Sequence, residues 1–145
     1  MIDGYLTDNV KITKVKDHSA ADTASVACTG VDMAGYDGVL FLTSFGTANA
    51  NNVLKVQQSS DDGSSDAYDD LLGTSVASGS SDEDVWYDLT RPGKQYVRPY
   101  VVRGTSSTLE SVWAVQYKAR AKPITNSVSG TIIGEQGNAL AEGTA

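Results

Sequence analysis

An all-β sandwich is the fold this sequence predicts, and three observations predict it. Thr, Ser, Val and Gly are abundant, with seven Tyr beside them, and no long segment carries a helical apolar period. Short apolar or alternating runs recur along the chain. Clusters of Gly, Asn, Asp and Ser separate these runs, which gives about seven or eight strands joined by turns. A jelly roll is the expected topology. The chain has 145 residues, one domain of ordinary size. The expected organisation is an N-terminal arm with a first strand over 1–22, a sandwich core over 23–123 and a C-terminal arm over 124–145.

Each element follows from local pattern. Residues 1–16 hold short alternations such as Val10-Lys11-Ile12-Thr13. Residues 23–29 alternate, with Ala24, Val26 and Cys28 on one face. "GVLFLTSFG" over 38–46 is almost continuously apolar, as a central strand buried on both faces would be. "NANN" over 49–52 reads as a turn and 53–58 alternates again, so 38–58 is expected to be a hairpin. Asp62-Gly63 marks a turn, 67–72 a short helical turn or strand, 74–77 a weak strand and 78–84 another turn. In 85–89, Val85, Tyr87 and Leu89 share a face, which leaves Trp86 on the other with Asp88. Pro92-Gly93 favours a type II turn. Residues 95–103 are β-rich but contain Pro99, which implies an edge position or a bulge. The clearest strand is 110–121, with Ser111, Trp113, Val115 and Tyr117 on an expected dry face and Val112, Ala114, Gln116 and Lys118 on a wetter one. The segment beyond Pro123 is too polar for a core apart from Ile132-Ile133, and reads as disordered or as a strand that pairs with something else.

Charge and residue supply narrow the chemistry. The net charge is −7, the wrong sign for a free-standing nucleic-acid binder. No apolar run is long enough to span a bilayer as a helix, and no leader pattern opens the chain. From 61 to 88 the acids Asp61, Asp62, Asp66, Asp69, Asp70, Asp82, Glu83, Asp84 and Asp88 meet no base; from 91 to 122 the bases Arg91, Lys94, Arg98, Arg103, Lys118, Arg120 and Lys122 meet only Glu110. Such asymmetry suits docking in one orientation. The stretch "SSDDGSSDAYDDL" fails the EF-hand pattern, because Gly63 falls third and Leu72 twelfth when Asp61 is first. It reads as a solvated connection. Cys28 is the only cysteine and lies on an apolar face, so it is expected in the core; His18, the only histidine, sits beside Asp17. No Gly-x-Ser-x-Gly elbow, phosphate loop, dinucleotide fingerprint or His-rich zinc pattern is present. The expectation is therefore no enzyme, no cofactor and no metal, with Trp86 the best exposed contact for a protein or a glycan.

Four phrases stand in order along the core: "GVDMAGYDGVLFLTSFG" (30–46), "VQQSSDDG" (56–63), "DLTRPGKQYVRPYVVR" (88–103) and "WAVQYKARAKP" (113–123). Together they resemble a family of small structural proteins of tailed phages, the capsid cement or decoration proteins. The resemblance implies a β-sandwich or jelly-roll oligomer on the outside of an assembled head. Its partners would be the major capsid protein and copies of itself, as a homodimer or homotrimer, with no nucleic acid and no membrane. Its place would be the virion exterior after synthesis in the host cytoplasm. On that reading Arg91, Lys94, Arg98 and Arg103, with Ile132 and Ile133 of the tail, are the expected contacts to coat or sister subunits. The rival readings are a carbohydrate-binding or receptor-adhesion module, which shares the sandwich fold, and a different virion part such as a head–tail connector or tail protein.

Overall fold

The computed structural model describes residues 4–139 and 141–144; the outermost residues of the two expected arms lie outside that range. The strands are β1 (Lys11–Lys16), β2 (Ser19–Asp22), β3 (Val26–Ala27), β4 (Val31–Asp32), β5 (Gly38–Phe45), β6 (Asn52–Ser59), β7 (Asp69–Asp70), β8 (Val76–Ser78), β9 (Glu83–Thr90), β10 (Tyr96–Val102), β11 (Ser107–Leu109) and β12 (Val112–Tyr117), preceded by one 3-10 turn at Leu6–Asp8. One sheet has the order β1-β12-β5-β9. The other is built on β10 and β6, with β3 and β4 on the far side of β10 and β7 and β8 on the far side of β6. The ribbon β2-β11 stands apart. If β3 with β4, and β7 with β8, are each taken as one split strand, the two sheets read β1-β12-β5-β9 and β3/β4-β10-β6-β7/β8, the strand order of a jelly roll; outside the β2-β11 ribbon the chain changes sheet at each step except from β6 to β7 and β8. The predicted all-β sandwich is the observed fold.

The core lies between the sheets. Val39, Phe41 and Phe45 of β5, Val85 of β9 and Val112 and Ala114 of β12 face Leu54 and Val56 of β6 and Val97 and Val101 of β10. In β5, β10 and β12 every second residue is buried, the period a sheet with one dry face requires, and β6 keeps that period up to Val56. Val15, Val26, Cys28, Val31, Met33 and Leu109 complete the cluster.

Several local expectations change. Residues 38–58 are not a hairpin: β5 and β6 belong to different sheets, and the connection between them crosses the sandwich. Asn52 secures that crossing, because its buried side chain donates to the Asn49 carbonyl and accepts from Gly104 N–H at 2.7 Å. β5 is central in its ladder but buried on one face only, with Leu42 37% exposed. Pro99 is not at an edge. It pairs with Val56 on one side, and on the other it faces the break between β3 and β4, where one extra residue is accommodated and its carbonyl accepts from Cys28 N–H at 3.2 Å. The bulge therefore lies in the neighbouring strand. In β12 the faces are the reverse of the expectation: Val112, Ala114 and Gln116 are buried, whereas Trp113, Val115 and Tyr117 are half-exposed. Gln116 tolerates burial because its amide donates to the Asp32 carbonyl at 2.7 Å.

Neither terminus is an extended arm over its described residues. β1 is an integral strand paired to β12. The described residues of the C-terminal segment form no strand and fold back on the N-terminal segment of their own chain. Ile124 N–H donates to the Asp8 carbonyl at 2.8 Å. Asn126 donates to the carbonyls of Thr7 and Val10 at 2.7 and 3.0 Å and accepts from Ile12 N–H at 2.7 Å. One side-chain amide thus takes the place of a strand partner at the β1 edge.

Candidate binding surface

The pairing register places one row of side chains across the outer face of the four-stranded sheet. Lys14 stands opposite Trp113, Trp113 opposite Leu42 and Leu42 opposite Trp86. The next row holds Ile12, Val115, Leu40 and Asp88. Trp86 is 63% exposed, at the centre of the edge strand β9. Directly opposed apolar side chains on one face pack against each other, so the row is a continuous apolar strip rather than scattered residues.

The strip is held from behind and at one end. Val85 of β9 and Val39 and Phe41 of β5 anchor its strands in the core. Tyr117 lies across Gly38 and donates its hydroxyl to Asp88. A Cβ on Gly38 would stand 2.2 Å from that ring, so glycine is what lets the tyrosine lie flat. Burial, with the Asp88 bond second, pushes the Tyr117 hydroxyl up to about 12. At the opposite end a groove of about 570 Å³ separates the sheet from the tail, lined by Thr7, Ile12, Trp113, Val128, Ile132 and Gln136. Ile132 is half-buried there, while Ile133 is 97% exposed.

The four bases of the expected contact run do not form one surface. Arg103 is 8% exposed and serves its own chain, donating to the carbonyls of Ala24 (2.7 Å), Ala20 (2.8 Å) and Ser107 (3.2 Å). Arg98 donates to Gln57 at 2.9 Å and stacks 4.1 Å above the Tyr68 ring. Lys94 pairs with Asp66 at 2.7 Å. Arg91 is exposed at a left-handed position, φ 52, in the turn after β9. It shares a small cleft with Lys94 and Arg120, and the latter is paired to Asp37 at 3.0 Å. Trp86 therefore stands in the strip, Ile132 and Ile133 border its far end, and the basic run is divided between internal bonds and a separate cleft.

The acidic stretch is a tightly bonded loop. The Asp61 carboxylate accepts the backbone N–H groups of Ser64, Ser65 and Asp66 at 3.0, 2.7 and 3.0 Å, which holds its acid below the usual range. The Lys94 bond, with Ser60 N–H beside it, lowers Asp66 to about 2. Asp62 accepts from the Tyr68 hydroxyl, and Asp70 accepts from Lys55 and Gln57 at 2.7 and 2.9 Å. Cys28 is buried at 3% exposure and burial raises its thiol to about 12, the environment of an inert core cysteine. His18 is exposed and contacts Glu110 at 3.1 Å.

The strip itself was only half-visible in the sequence. Alternation in 85–89 placed Trp86 outward, but nothing local revealed that Leu42 and Trp113 stand beside it, because register between distant strands joins them.

No protein-family model and no curated protein matches the chain. One solved structure, from work describing Bacillus endospore appendages as a novel family of disulfide-linked pili, aligns with 75% of this chain and 88% of its own, at 10% identity and a TM-score of 0.45.

Proposed function

We propose that this protein is a structural component of a virion: a decoration protein that lays the outer face of its β1-β12-β5-β9 sheet on the exterior of a phage head and braces neighbouring major capsid subunits. The carrying observation is the outward-facing Trp113–Leu42–Trp86 row, exposed at Leu42 and Trp86. A large aromatic flanked by apolar neighbours, with Asp84 and Asp88 on the same strand and face, has the make-up of an interface centre with a polar rim. The four phrases resembling decoration proteins support the same reading. The role asks for a stable core and an adhesive face, and many copies on one lattice gain from avidity, so each contact is modest.

A second reading has one observation in its favour. Exposed Trp86 beside the Asp84 and Asp88 carboxylates is also an arrangement that stacks and hydrogen-bonds a sugar. Cosedimentation with emptied heads separates the two. Wild type is expected to pellet with heads, Trp86→Ala to lose roughly tenfold or more in affinity as an interface anchor, and glycan retention to be absent. Hundreds of copies per particle fit the shell; a dozen or fewer would place the protein at the neck or tail. Failure to bind heads, together with glycan retention that Trp86→Ala abolishes, would replace the proposal with the second reading.

A further inference from the structure

The two edges of the four-stranded sheet are complementary in charge. β1 carries Lys11, Lys14 and Lys16 and no acid; β9 carries Glu83, Asp84 and Asp88 and no base. β9 pairs with β5 through all of its residues and, among the described residues, has no strand on its other side. An eight-residue edge with unpaired backbone groups is a template for another strand. Among the described residues the β1 edge is also without a strand, and there the tail intervenes. Asn126 takes the Ile12 N–H, Lys11 Nζ donates to the Thr125 carbonyl at 3.0 Å, and Lys14 Nζ donates to the Thr131 hydroxyl.

We propose that the β9 edge receives the β1 edge of a second copy, continuing the sheet from one molecule to the next, and that the tail guards β1 against this pairing in the isolated protein. Direction agrees. All three pairs of the sheet are antiparallel, so β9 runs opposite to β1, and a second copy in the same orientation presents its β1 antiparallel to β9. Charge agrees, lysines meeting acids. The apolar strip agrees, because with Lys14 of the next copy set against Asp84 the row ending at Trp86 continues into that copy's Ile12 and Val115. Such a contact is head-to-tail, so it closes into a ring such as a trimer or extends as a chain, and it does not stop at a two-fold dimer. Lost backbone and amide bonds between tail and β1 are replaced by strand pairing, which is β-augmentation between identical copies. This inference stands apart from the capsid reading: copies that pair but ignore heads would sink only that reading.

The test is sedimentation of full-length variants over a range of concentrations. Asn126→Ala removes the tail's hold on Thr7, Val10 and Ile12 and is expected to strengthen self-association about tenfold, the effect of one lost net hydrogen bond or more, with species of three or more copies. In that background, Asp84→Lys alone and Lys14→Glu alone are expected to stay monomeric, and an equimolar mixture of the two to associate again. A folded Asn126→Ala chain that remains monomeric, or that stops at dimers, overturns the proposal. If Asn126→Ala does not fold, wild type and Asp84→Lys are compared up to about 1 mM, the range of weak contacts. Association of wild type alone supports the proposal, and identical behaviour of the two overturns it.

Discussion

Asp66 illustrates how single groups in the acidic loop act. Its carboxylate is held low, to about 2, first by the Lys94 bond and then by Ser60 N–H, so the folded state binds the proton later than the unfolded chain does. The sign follows directly: stability from this group is complete above the ordinary value of 3.8 and is lost as pH falls through about 2. Lys94 is shifted upward by the same bond, so its contribution is complete below its ordinary value and fades as pH rises above it. We expect the melting temperature to fall between about pH 4 and 2, and Asp66→Asn to flatten part of that fall; an unchanged acid limb in the variant would show the pair to be inert. The crowding of Asp, Ser and Gly identified this stretch as a wet connection, and that much was legible in the sequence. That Asp61 gathers three backbone N–H groups was not, because the bond set depends on the loop's three-dimensional path. Arg103 teaches the same point. In sequence it is one more base in a run; in the fold it binds three carbonyls and is buried, because irregular backbone around β2 and β11 leaves acceptors that need a donor.

At the scale of elements, β12 is where pattern misled. Trp113, Val115 and Tyr117 are bulkier and more apolar than Ala114 and Gln116, so alternation pointed them inward. Two circumstances reverse the faces. Ala114 and Val112 fit beneath the opposite sheet, where bulkier side chains would overfill the core, and Gln116 finds the Asp32 carbonyl inside. Val112→Ala is therefore expected to cost about 1–3 kcal/mol in denaturant unfolding, as removal of buried methyl groups does, while Val115→Ala costs less than about 1 kcal/mol. Equal losses at the two sites would mean that β12 has both faces buried. β9 is the contrary case: a strand with one dry face and an uncovered outer face shows clean alternation, and Trp86 stood out correctly. The 38–58 segment failed for a topological reason. An apolar strand and an alternating strand separated by an Asn-rich link look alike whether the link turns within one sheet or crosses to another. Strand β2 lacked signal because it is short and largely exposed, and β11 because three residues show no period, although its Leu109 is buried in the core.

For the whole molecule, the sandwich class was legible because it follows from the number and spacing of short strands, and the surface it builds was not. The row Lys14–Trp113–Leu42–Trp86 draws on four strands from the two ends and the middle of the chain. Only closure of the jelly roll brings them together. The expected interface run from Arg91 to Arg103 is divided for the same reason: β10 lies in the other sheet, and the bases in and around it bond within the chain, Lys94 to Asp66, Arg98 to Gln57 and Arg103 to Ala24. The central claim is that the outer face of the β1-β12-β5-β9 sheet is what adheres to a shell. Oxidative footprinting of the two tryptophans, free and bound to heads, tests this most directly. Trp86 is expected to lose at least about half of its reactivity on binding, as an anchor buried at an interface centre does, while the exposed Leu72 on the opposite sheet's connection stays unchanged. Protection of Leu72 with Trp86 left fully reactive would contradict it.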